Sequence, residues 1–81
     1  MAGPFSLNPD EIQFQIPTNL FTSTKVTVTS PVNGSVEMRA GLSEPEVSAF
    51  HAGVTEFVRQ FGGVFLAVKN QSSQPITIVT E

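Results

Sequence analysis

The sequence predicts an α+β domain of two layers, one amphipathic helix packed on a four- to five-stranded sheet, in the order β-ββ-α-ββ. Three observations predict it. Val47, Phe50, Val54, Phe57, Val58 and Phe61 recur at helical spacing between residues 43 and 61. Segments on both sides of that stretch alternate apolar and polar residues with period two. Asn33-Gly34, a hairpin signal, stands between two of them.

Residues 1–10 hold Pro4, Pro9 and Gly3 and show no periodicity, so they read as an extended arm in which Phe5 and Leu7 are contacts for another chain. Residues 11–81 then form the single α+β domain. In residues 11–16, Ile12, Phe14 and Ile16 share one side and Glu11, Gln13 and Gln15 the other, as in a strand with one buried face. Pro17 ends it. Val26 and Val28 alternate with Lys25, Thr27 and Thr29, and Val36, Met38 and Ala40 alternate with Glu37 and Arg39. Partners across a hairpin share a face. A three-residue loop, Val32-Asn33-Gly34, satisfies that rule by placing Val28 opposite Met38, with Gly34 in the left-handed region.

Ser43 and Glu46 have the spacing of a capping box, Pro45 fits a first helical turn, and Gly62-Gly63 fits a helix stop. Residues 64–69 are a nearly continuous apolar run, and residues 75–80 form a last strand with Ile76 and Ile78 inward. A five-residue loop pairs Leu66 with Ile78 and Phe65 with Val79. The helix is thus expected to cover Val26, Val28, Val36, Met38, Leu66, Val68, Ile76 and Ile78.

From residue 24 onward the order ββαββ resembles the β-grasp topology of ubiquitin-like domains and of small immunoglobulin-binding bacterial domains. The likeness rests on element order and on no shared motif. It implies that the first and last strands of that unit lie side by side and parallel, with strand 11–16 at a sheet edge or on another molecule. The competing layout sets strand 11–16 beside strand 24–30 in a meander. Ubiquitin-like carriers act through a C-terminal Gly-Gly. Here the chain ends Ile78-Val79-Thr80-Glu81 and Gly62-Gly63 is internal, so carrier chemistry is not implied.

Composition narrows the function classes. The 81 residues suit one domain, and no cysteine is present to supply a disulfide or a thiolate metal site. A chain this short gains from a partner chain. The net charge is −3, and Lys25, Arg39, Arg59 and Lys69 are spread along the sequence. No basic cluster suggests nucleic acid or an anionic membrane. Charged residues are 14% of the chain, against a usual ~25%. Ser, Thr, Asn and Gln take their place, as in a β-rich protein with Thr on its strand faces, or alternatively in a protein in contact with other copies. Neither a signal peptide nor an apolar run of membrane length is visible.

His51 is the sole candidate general base. Glu44, Ser48 and Thr55 are its neighbours on a helix, but one helix face cannot also supply an oxyanion hole. Glu44 and Glu46 are explained by a helix N-terminus, and Gly62-Gly63-Val64 lacks the rest of a phosphate loop. No catalytic, cofactor or metal site is expected, and the protein reads as a non-enzyme. The expected contact surface is Phe65, Ala67 and Val79 on the sheet face away from the helix, joined by Phe5 and Leu7 of the arm. Alternatively Ile12, Phe14 or Phe5 folds over that patch. The expected role is a structural or interaction subunit of a larger assembly, of virion or phage accessory type, located in the cytoplasm or the virion. The alternative is a free-standing adaptor or inhibitor that binds one partner protein through its sheet.

Overall fold

The computed structural model describes residues 2–81 and contains eight strands and no helix among them. The strands are β1 (Ala2–Leu7), β2 (Ile12–Ile16), β3 (Thr24–Ser30), β4 (Gly34–Ala40), β5 (Glu46–Phe50), β6 (Gly53–Arg59), β7 (Leu66–Asn70) and β8 (Ile76–Thr80). They form two antiparallel four-stranded sheets, sheet I in the order β1-β8-β3-β6 and sheet II in the order β2-β7-β4-β5. Only β4 and β5 are neighbours both in sequence and in a sheet; every other connection crosses from one sheet to the other. This is the strand order of a jelly roll. The α+β expectation, with its β-grasp layout, is therefore replaced by an all-β sandwich.

The core lies between the sheets. Leu7, Val26, Val28, Ile76 and Ile78 of sheet I meet Ile16, Val36, Met38, Phe50, Leu66 and Val68 of sheet II. Each such side chain contributes about 1.5–3 kcal/mol when taken out of water. All eight residues expected under a helix are buried, but a second sheet covers them.

The helix expected over 43–61 is two strands and a turn. Val47, Val54, Thr55 and Val58 are β-branched and stiff at χ1, which favours strands. Gly53 has φ 101, outside any helix, and it opens β6. Of the stripe, Phe50 is buried and Phe57 and Phe61 pack at the core's margin, while Val47, Val54 and Val58 face solvent. The helical spacing arose by reading two period-two segments across the turn at 51–52. On this side of the sandwich Arg59 of β6 lies over the Phe57 ring at 6.0 Å and bridges to Glu46 of β5 at 3.2 Å. The two sheets are thus tied at their β5–β6 margin.

The hairpins proposed for 24–40 and 64–80 are also corrected. Val28 lies opposite Thr55 and Ile78, and Met38 lies opposite Glu46 and Val68. The strands of each supposed hairpin belong to different sheets and face one another across the core. Gly34 does not take the left-handed conformation. It is a glycine for lack of space, since a Cβ there would stand 2.5 Å from Ser72 Cβ and 2.9 Å from the Phe50 ring. Gly34→Val is accordingly expected to lower stability by about 1–3 kcal/mol through overpacking, measured by urea denaturation; Gly34→Ala should show part of the same loss.

The expected arm is strand β1. It pairs with β8, placing Phe5 opposite Ile78 and Leu7 opposite Ile76. Leu7 is 1% exposed. The organisation is therefore one sandwich that includes residues 2–10, in place of an arm followed by a domain.

Candidate interaction surface

Sheet II exposes Ile12 and Phe14 on its outer face because of a break in β2. The register runs Gln13 opposite Val68 and then Ile16 opposite Leu66, so one extra residue is accommodated between them. Gln15 takes φ 58 at this bulge. A bulge exchanges the faces of a strand. Ile16 consequently points into the core while Ile12 and Phe14 point out, and Phe14 is 63% exposed.

On the neighbouring strands the same face carries Ala67 and Lys69 of β7, Glu37 and Arg39 of β4, and Val47 of β5. The rows are explicit in the register: Ile12, Lys69, Glu37 and Val47 in one, Ala67 and Arg39 in the next. Ile12, Phe14, Glu37, Arg39, Ala67 and Lys69 line a shallow depression of about 110 Å³. Phe65, one residue before β7, keeps that strand's alternation and is 61% exposed; its carbonyl accepts a bond from the Gly41 N–H at 2.9 Å.

The polar groups around the depression have unequal partners. The Glu37 carboxylate accepts from Gln71 Nε2 at 3.0 Å. Arg39 Nε donates to the Ser43 carbonyl at 3.0 Å. Neither Arg39 nor Lys69 has a carboxylate partner among the described residues, whereas Lys25 reaches Glu56 and Glu81, and Arg59 reaches Glu46.

Of the residues expected at an interface, Phe65 and Ala67 are together on this face. Val79 is not with them: it lies on β8 in sheet I, opposite Thr27. Phe5 is half-buried against the core and Leu7 is within it, so Leu7 has no surface to offer a partner. Ile12 and Phe14 replace them, and the alternation of residues 11–16 gave no sign of the bulge that turns them outward. The residues that would neighbour His51 on a helix, Glu44, Ser48 and Thr55, fall in a loop and two strands instead. The His51 ring is exposed, with Nδ1 3.0 Å from the Ala52 carbonyl oxygen, and Ser48 is buried in β5. Glu44 stands in the β4–β5 loop and Glu46 in β5, paired with Arg59. Among the described residues no group of three His, Cys, Asp or Glu is placed to hold a metal ion, and no helix is long and apolar enough to cross a membrane.

Two proteins of Dictyostelium discoideum, both named as uncharacterized, are 37% and 36% identical to the chain over 83 aligned positions, spanning 99% of the chain and 99% of each relative. No solved structure matches it. A family described as of unknown function, DUF8244, matches residues 5–81, and the chain belongs to that family.

Proposed function

We propose that the protein is a non-catalytic interaction subunit that binds an apolar, acidic segment of a partner protein on the outer face of sheet II. Jelly rolls serve capsids, lectins and cupins alike, so the reading comes from the surface and not from the fold. One observation carries it. The two basic side chains without a carboxylate partner among the described residues, Arg39 and Lys69, both border the depression that exposes Ile12 and Phe14. An aromatic side chain in such a setting is a favoured contact point, and an arginine beside it receives a carboxylate through parallel N–H bonds. The subunit acts in the cytoplasm or in a particle assembled there.

The test is fluorescence anisotropy with a labelled peptide alternating Glu with Leu and Phe, a Lys-for-Glu counterpart, and a single-stranded oligonucleotide. Saturable binding of the acidic peptide is expected, weakened about tenfold or more in Arg39→Gln/Lys69→Gln, each tenfold being ~1.4 kcal/mol. Phe14→Ser should weaken it comparably while leaving the fold unchanged by circular dichroism. Binding of the Lys peptide with equal strength overturns the charge argument. Preference for the oligonucleotide would assign the exposed phenylalanines to base stacking instead.

A further inference from the structure

We infer that β6 pairs antiparallel with β6 of a second copy, about a two-fold axis at Glu56, joining two copies of sheet I into one eight-stranded sheet. The surface is distinct from the outer face of sheet II, and the inference stands apart from the function proposed above.

Sheet edges invite pairing with other chains, and proteins usually blunt them. Two of the four edges here are blunted. In β1, Pro4 interrupts the strand and the register shifts between Ala2 and Phe5. In β2 the bulge at Gln15 interrupts pairing. The third edge, β5, is five residues long and begins at Glu46, which bridges to Arg59. The fourth, β6, has seven residues, no proline, no lysine and no bulge; its register with β3 runs unbroken from Ser30 opposite Gly53 to Thr24 opposite Arg59. It is also rich in β-branched and aromatic residues, Val54, Thr55, Phe57 and Val58.

The side chains choose the partner. Val54 and Val58 stand on the solvent face of β6, 57% and 55% exposed, two residues to either side of Glu56. Opposite residues in an antiparallel pair share a face. Pairing about Glu56 sets Val54 of each copy against Val58 of the other, Thr55 against Phe57 and Gly53 against Arg59, and it uses all seven residues. Centring the pair on Phe57 leaves only residues 55–59 in register and sets Val58 against Glu56. Centring it on Thr55 leaves residues 53–57 and sets Val54 against Glu56. The valines therefore specify a second copy of this strand in one register. The opposing term is the meeting of two Glu56 carboxylates at the axis. Each is already accompanied by Lys25 of its own copy, with Nζ at 3.4 Å, so two ion pairs meet there.

The absence of native cysteine makes the test clean. Cα atoms of opposed antiparallel residues lie ~4.5–5.5 Å apart, within disulfide range. Under mild oxidation Glu56→Cys should cross-link to itself. Val54→Cys and Val58→Cys should each give little covalent dimer alone and form a covalent dimer when mixed. Light scattering on the wild-type chain should show a concentration-dependent dimer, tightened several-fold in Glu56→Gln and lost in Val58→Lys with unchanged circular dichroism. A wild-type monomer at all concentrations overturns the inference. So does a dimer in which Ala49→Cys, on the outer face of sheet II, cross-links as readily as Glu56→Cys. Val58→Lys should still bind the acidic peptide, so loss of either property leaves the other to be judged on its own.

Discussion

Deletion of residues 2–7 is expected to abolish folding of the isolated chain. The deletion strips β8 of its outer neighbour and takes Leu7 out of the core. Truncating one buried leucine to alanine already costs about 2–5 kcal/mol, and a domain of this size has roughly 5–10 kcal/mol in all. Removing the whole strand also leaves the β8 edge and the Asn70 side chain without the partners they had in β1. Circular dichroism and urea titration of the truncated chain should show no cooperative transition. A truncated chain that melts at the wild-type temperature would return residues 2–7 to the status of an arm. Leu7→Ala gives a graded version of the same experiment, with a loss of about 3 kcal/mol expected.

Asn70→Ala should be nearly as damaging, although it removes only a small polar group. Asn70 is fully buried at the end of β7. Its Nδ2 donates to the carbonyls of Leu7 at 3.0 Å and Gln74 at 2.9 Å. Its Oδ1 accepts from the Ser72 N–H at 2.9 Å and from Ser72 Oγ at 2.6 Å. One amide therefore closes the β7–β8 turn and fastens the end of β1 to it. Alanine leaves the Leu7 carbonyl and the Ser72 N–H to find other partners, while the Gln74 carbonyl keeps its bond from Ser72 Oγ at 2.8 Å. Burying unsatisfied groups costs about 1–3 kcal/mol each. A loss of about 3–4 kcal/mol in urea denaturation is expected. A loss below ~1 kcal/mol would show that the turn holds itself without the side chain.

How much of this was legible in the sequence depends on what parity can decide. Alternation correctly assigned Val26, Val28, Val36, Met38, Leu66, Val68, Ile76 and Ile78 to the interior. It could not say whether Val28 lies beside Met38 or across the core from it, because the inward-facing sets coincide in both arrangements. Asn33-Gly34 then favoured the hairpin, yet here the connection passes between sheets. The Asn33 side chain accepts a bond from the Ala52 N–H at 2.8 Å, a long-range contact that no local turn rule includes. The helix reading failed where two short strands meet at Gly53, since the capping and stop residues of 43–63 are equally at home in turns. At the candidate surface, Phe65 and Ala67 followed from alternation within β7. Phe14 did not, because a one-residue bulge reverses a strand's faces without altering its composition.

The positions of β7 and β8 also govern the order in which the protein can form. Both are central strands, β7 between β2 and β4, and β8 between β1 and β3. Of the eight strands they are the last two to be synthesised. Until residues 66–80 have been made, β1 has no neighbour in sheet I and β2 none in sheet II. The nascent chain then offers only the β4–β5 hairpin and the β3–β6 pair for assembly. Two closing strands must be threaded between partners that are distant in sequence, which makes the loop-closure entropy large before any core is gained. Folding is thus a late and concerted event, and during synthesis the apolar strands stay exposed to whatever holds nascent chains apart.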